Sequence, residues 1–95
     1  RDQQAREQSA SGDPKKLLRA AEKALADAEL RVATLEQTIA SLESQLDDAS
    51  LYDTPAGVQK AVQLGKQLDE ARDAMEDAMH AWSTADEYVG LLKAR

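Results

Sequence analysis

The sequence has 95 residues, and although 42% are hydrophobic, aromatic residues make up only 3% and phenylalanine is absent. So few large side chains do not fill a globular core, and the composition favours an elongated fold with its apolar residues along a seam. The net charge of −6 argues against a nucleic-acid partner for the chain as a whole, and the absence of cysteine excludes disulfides and thiolate metal sites.

Residues 1–12 are rich in Gln, Ser, Arg and Gly and show no apolar periodicity, so we predict a flexible linker there. This start lacks the apolar stretch of a signal peptide, and no later apolar run approaches the roughly 20 residues of a membrane-spanning helix. We therefore expect a cytoplasmic protein without a membrane contact. Because the chain begins without Met, we also expect it to be a piece of a larger protein.

The same two-residue signal marks the start of both predicted helices. Asp13-Pro14 offers a capping oxygen followed by proline at the first helical position, and Thr54-Pro55 repeats this pattern. Pro55 also prevents one continuous helix, so the chain must reverse direction before it. The ordered part, residues 13–95, is thus predicted as a helix over 14–49, a turn over 50–54 and a helix over 55–93.

Apolar residues recur in both predicted helices in steps that alternate between three and four residues. This is the heptad pattern of a coiled coil, and it supplies ten seam positions in each helix. In the first helix they are Leu18, Ala21, Leu25, Ala28, Val32, Leu35, Ile39, Leu42, Leu46 and Ala49. In the second they are Ala61, Leu64, Leu68, Ala71, Met75, Ala78, Trp82, Ala85, Val89 and Leu92.

Folding the chain back so that paired residue numbers sum to 110 sets a large side chain opposite a small one in five of the ten layers. Trp82 then faces Ala28, whereas a slip by one heptad to Leu35 crowds the seam and shortens the turn. A slip the other way, to Ala21, also fits, but it lengthens the loop and leaves Leu46 unpaired. The predicted fold class is therefore all-α, a monomeric two-helix antiparallel coiled-coil hairpin.

Charged residues beside the seam add weak support to this register. Arg72 lies across from Glu36 and Glu43, and Lys93 lies across from Glu22, so opposite charges meet at two levels. Exposed ion pairs contribute little to stability, so the fold prediction does not depend on them.

Residue types that carry chemistry are sparse. No glycine-rich phosphate-binding motif occurs, and His80 has no second histidine or cysteine with which to share a metal. Asp47, Asp48 and Asp53 cluster at the turn but lack the alternation and glycine of a calcium loop, which favours a solvated helix end over a cation site. We therefore predict no catalytic residue, no metal site and no cofactor in this chain.

The turn also carries apolar side chains, and these have two interpretations. Leu51 and Tyr52 lie in the turn itself, and Val58 and Val62 follow in the second helix. We favour structural capping of the tip over a surface that binds a partner.

Basic residues concentrate at the open end of the predicted hairpin. Residues 1–23 and 93–95 hold eight of the twelve Lys and Arg but only four of the eighteen Asp and Glu, whereas residues 24–92 have a net charge of −10. Such a patch binds phosphate backbones, with Tyr88 near enough to offer a stacking surface, although the same cations also serve simply to keep an exposed end soluble. The candidate nucleic-acid-binding residues are Lys15, Lys16, Arg19, Lys23, Lys93 and Arg95.

The segment LEQTIASLESQLDDASLYD, followed by AMHAWSTADEYVGLL in the second helix, resembles the C-terminal coiled-coil domain of bacterial ABC-F ATPases of the Uup and YheS type. The resemblance covers about residues 32–92 and is carried by the Asp-rich turn and the single Trp82. It implies a parent protein with two tandem ATP-binding cassettes, which binds ATP, lacks transmembrane segments and acts on ribosomes or nucleic acid. In Uup-like members, the arm that this hairpin represents is associated with DNA binding.

Two functions are consistent with these observations. The first is a non-enzymatic arm that contacts DNA or ribosomal RNA through the basic open end. The second is a protein-interaction or spacer coiled coil without direct nucleic-acid contact, which the acidic body favours.

Overall fold

The computed structural model describes residues 13–94, which form two long α-helices joined by a short 3₁₀ turn. Helix α1 spans Pro14–Leu46, the 3₁₀ turn spans Ala49–Asp53, and helix α2 spans Pro55–Lys93. The helices run antiparallel, and the described residues contain no strand, so the predicted all-α helical hairpin is confirmed. The radius of gyration is 20.9 Å, well above the roughly 12 Å of a compact domain of this length. The fold is therefore an elongated arm.

Both helices begin with the same capping arrangement. The Asp13 side chain accepts a hydrogen bond from the Lys15 backbone N–H at 3.0 Å, and the Thr54 hydroxyl accepts one from the Gly57 N–H at 3.0 Å. Each cap precedes a proline, whose missing N–H removes one of the donors that a helix start leaves without a partner.

Helix α1 ends at Leu46, three residues before the predicted end at Ala49, and the turn begins correspondingly earlier. The physical reason is Asp48, whose backbone is extended and whose carboxylate accepts hydrogen bonds from the backbone N–H and the hydroxyl of Ser50, at 3.0 and 2.7 Å. Such local side-chain hydrogen bonds compete with helix continuation. The Tyr52 hydroxyl donates to the Leu46 carbonyl at 2.8 Å and satisfies one acceptor that the helix end exposes.

The Asp48 cap makes the stability of the turn depend on pH. The Ser50 hydroxyl and then its backbone N–H hold the pKa of Asp48 below the ordinary value of 3.8. Because the folded-state pKa is lowered, the cap stabilises the fold above the ordinary carboxyl pKa, and this contribution is lost as the pH falls through the folded value. We expect Asp48→Ala to lower the free energy of unfolding at neutral pH, with a smaller effect near about pH 3.

Urea denaturation followed by circular dichroism at both pH values measures this difference. Asp47→Ala removes the same charge one residue earlier, from a side chain that makes no hydrogen bond among the described residues, and serves as the control. An Asp48→Ala effect of equal size at both pH values would contradict the assigned cap.

The predicted seam is the buried face of the hairpin. Of its twenty positions, all but Ala49 are buried or half-buried, and Ala78 is fully buried. Near the turn, Leu42, Leu64, Leu68 and Ala71 form one buried cluster. Leucine faces leucine in this cluster, and the layers that set a large side chain opposite a small one lie mostly further from the turn. A large apolar side chain contributes about 1.5 to 3 kcal/mol when it is fully buried, and the half-buried seam residues contribute less, so it is the sum over the whole seam that holds the hairpin together.

Three polar contacts between the helices define the register. The Arg72 guanidinium lies 3.0 Å from the Glu43 carboxylate, and the Lys93 ammonium lies 3.6 Å from that of Glu22. The Trp82 indole N–H donates to Glu29 at 3.4 Å, one residue from the seam position predicted to face it. The pairing that the sequence predicts is therefore the one that forms.

Candidate nucleic-acid interface

The open end of the hairpin gathers basic residues from both helices. Lys15, Lys16, Arg19 and Lys23 lie in the first three turns of α1, and Lys93 is the last residue of α2. All five are exposed. The contact between Lys93 and Glu22 places the end of α2 beside the start of α1, so the fold brings these cations to one end of the arm. The sixth candidate, Arg95, lies outside the described residues.

Two of these cations form ion pairs with carboxylates. The Lys23 ammonium lies 2.9 Å from Asp27, one helical turn further on, and the Lys93 ammonium contacts Glu22. Both pairs are exposed, and such pairs contribute little to stability, so a phosphate can replace the carboxylate as the partner of either lysine. Within residues 13–94, the side chains of Lys15, Lys16 and Arg19 take part in no ion pair.

Asp27 is the functional neighbour that the sequence reasoning missed. Counting charge only as far as residue 23 left it in the acidic body, although its spacing of four residues from Lys23 places it on the same helix face. In the sequence, residues 13–27 together with 93–95 carry six cations and three carboxylates, a net charge of +3 in place of +4. The open end is thus positive, but less so than the sequence count indicates.

The remaining surface differs strongly from this end. Residues 28–92 hold thirteen carboxylates and four basic side chains, and one of these four, Arg72, contacts Glu43. Tyr88, 45% exposed, lies on the outer surface of α2 about one turn before Lys93, and its ring is accessible to a stacking base. Any contact with nucleic acid is therefore confined electrostatically to the open end.

The other candidate groups remain ordinary surface side chains. His80 is exposed, and residues 13–94 contain no cluster of histidine, cysteine or carboxylate side chains arranged to hold a metal ion. Neither α1 nor α2 has an apolar stretch long enough to span a bilayer. Tyr52 caps α1 through its hydroxyl, and Leu51 packs against the buried cluster, so both contribute to the structure of the tip.

The geometry defines a helical-hairpin domain that presents charged outer faces and a basic open end. Residues 16–87, about three quarters of the chain, match the family model described as the ABC transporter C-terminal domain, and the chain belongs to this family. The resemblance to the C-terminal domain of ABC-F proteins is thereby confirmed at the level of the family, while the Uup and YheS type stays a prediction. None of the curated proteins and none of the solved structures matches the chain.

Proposed function

We propose that this hairpin is the C-terminal arm of an ABC-F ATPase and that its open end binds the phosphate backbone of DNA or ribosomal RNA. The binding residues are Lys15, Lys16, Arg19, Lys23, Lys93 and Arg95, and the parent protein supplies ATP binding. The observation that carries the proposal is the contact between Lys93 and Glu22, because it joins basic residues from opposite ends of the sequence into one surface. Phosphate contacts of this kind give affinity without reading the base sequence.

The acidic body of the hairpin would fix the orientation in which the arm meets nucleic acid. A polyanion is repelled along most of the arm and attracted only where α1 begins and α2 ends, so the hairpin would meet nucleic acid end-on. The same body supports the second function, a protein-interaction or spacer arm, if the open end lacks measurable affinity for nucleic acid.

Fluorescence anisotropy with labelled duplex DNA and RNA distinguishes the two functions. The test variant, Lys15→Glu, Lys16→Glu and Arg19→Glu together, reverses the three cations that have no ion-pair partner among the described residues. We expect it to weaken binding at least about tenfold and to reduce the slope of log affinity against log salt by about three, near one unit for each cation that no longer neutralises a phosphate.

The matched control reverses three cations of the body instead, by Arg31→Glu, Lys60→Glu and Lys66→Glu. These residues are exposed, lie outside the open end and change the net charge by the same amount. An equal loss of affinity in both triple variants would show a general charge effect and contradict the assigned surface. An unmodified chain that binds neither DNA nor RNA at low salt would favour the protein-interaction arm.

A further inference from the structure

A groove lies between the two helices near the middle of the arm, away from the basic end. Its volume is about 270 Å³, below the roughly 300 to 1,000 Å³ of pockets that enclose small molecules. Its floor is apolar, because it is formed by Met79, which is 49% exposed, and by the half-buried Trp82. The groove is therefore suited to one or two side chains of a partner. It is lined by Glu29, Val32, Ala33, Glu36, Met79 and Trp82.

The groove interrupts a row of ion pairs along one edge of the hairpin. Four glutamates of α1 recur every seven residues, and they face four residues of α2 that also recur every seven, so both sets lie along this edge. The two outer glutamates contact cations across the seam. By the same spacing, the two inner glutamates are level with an aspartate and a methionine, and Glu29 accepts a hydrogen bond from the neutral Trp82 indole N–H, so this level of the edge has no cation. In order, the pairs are Glu22 with Lys93, Glu29 with Asp86, Glu36 with Met79, and Glu43 with Arg72.

We propose that this groove binds an amphipathic helix of a partner protein, which supplies the basic side chains that α2 lacks at this level. Negative charge beside an apolar floor is complementary to a helix with basic residues beside apolar ones. The same negative charge disfavours nucleic acid here, so the inference is independent of the proposed function at the open end.

The spacing of the two inner glutamates specifies the partner's sequence pattern. Glu29 and Glu36 are two helical turns apart, about 10 Å along α1. A partner helix matches them with Arg or Lys at positions i and i+7, and apolar residues at i+3 and i+4 then lie against Met79 and Trp82. An arginine has the further advantage that its guanidinium stacks favourably on an indole ring.

Trp82 provides the readout, because it is the single tryptophan of the chain and lines the groove. The probe is a helical peptide of about 20 residues without Trp or Tyr, long enough for helix formation, with Arg at i and i+7 and Leu at i+3 and i+4. The control peptide has the same sequence with Glu in place of both Arg residues. We expect a saturable change in Trp82 fluorescence below about 1 mM with the Arg peptide and none with the Glu peptide. No change with the Arg peptide, or equal changes with both, would overturn the proposal.

Two variants test whether the groove itself is the site. Met79→Lys places a cation opposite Glu36, where it neutralises one of the two inner charges and occupies the groove. Glu29→Gln with Glu36→Gln instead removes the two inner charges. Each variant is expected to bind the Arg peptide at least about tenfold more weakly than the unmodified chain, while the circular dichroism spectrum of the hairpin is unchanged.

The charge-matched control for the double variant is Asp69→Asn with Glu70→Gln, which also removes two negative charges, from exposed residues that do not line the groove. This variant should bind the Arg peptide within about twofold of the unmodified chain. A matching loss in the control, or unchanged binding by Met79→Lys, would show that the peptide binds elsewhere. The basic peptide and the nucleic acids are attracted to surfaces of opposite charge. If the peptide does not bind the groove, the result of the nucleic-acid titrations at the open end is therefore unaffected.

Discussion

Replacing Leu68 with alanine is expected to lower the free energy of unfolding by about 2 to 5 kcal/mol, among the largest effects of any single substitution in this chain. Leu68 is 7% exposed and belongs to the cluster with Leu42, Leu64 and Ala71, so its removal leaves a cavity between the helices. Domains of this size are stable by only about 5 to 15 kcal/mol, so the variant should lose a large part of its stability. Urea denaturation followed by circular dichroism measures the change.

The sequence offers matched controls for this substitution. Leu30 and Leu91 are 68% and 67% exposed, and the same change to alanine at either position should alter stability by no more than about 0.5 kcal/mol. A Leu30→Ala or Leu91→Ala effect as large as that of Leu68→Ala would mean that these residues are buried in solution. That result would contradict a monomeric hairpin with a single apolar seam.

The seam is the part of this fold that sequence reasoning predicts best. Alternating steps of three and four residues fix which face of each helix is apolar. The match of Trp82 with a small residue leaves two registers, and the shorter loop, which also pairs Leu46, selects between them. The end of α1 was predicted wrongly because Ala49 continues the apolar spacing, whereas the backbone follows the Asp48 cap on Ser50. Periodicity reports the face of a helix, but local hydrogen bonds decide where the helix ends.

The candidate sites differ in how far the sequence reveals them. The antiparallel fold alone brings Lys93 beside the first turns of α1, but block counting of charge overlooks the contact between Lys23 and Asp27. The seven-residue spacing of glutamates along α1 is visible in the sequence. The sequence also shows that α2 has a methionine, Met79, at the position where a basic residue would face Glu36. What the sequence does not give is the depth of the groove, because that depends on how the Trp82 ring lies against its neighbours.

Replacing Gly57 with alanine is the second substitution with a large expected effect, and its sign is opposite to what helix propensity predicts. A Cβ at Gly57 would overlap the carbonyl oxygen of Leu51, because the 3₁₀ turn crosses directly over the first turn of α2. Leu51 also packs against the buried cluster, so moving the turn away disturbs the tip. We expect a loss of about 1 to 3 kcal/mol, the usual range for overpacking.

Gly65→Ala and Gly90→Ala are the matched substitutions within α2. A Cβ at either position meets no atom within 4 Å, so alanine should raise stability by about 1 kcal/mol through its better helix propensity. Thermal denaturation of the three variants should therefore give one decrease and two increases relative to the unmodified chain. If Gly57→Ala were as stable as Gly65→Ala, the turn would not lie against α2, because close contact with the Leu51 carbonyl is what excludes a side chain at residue 57.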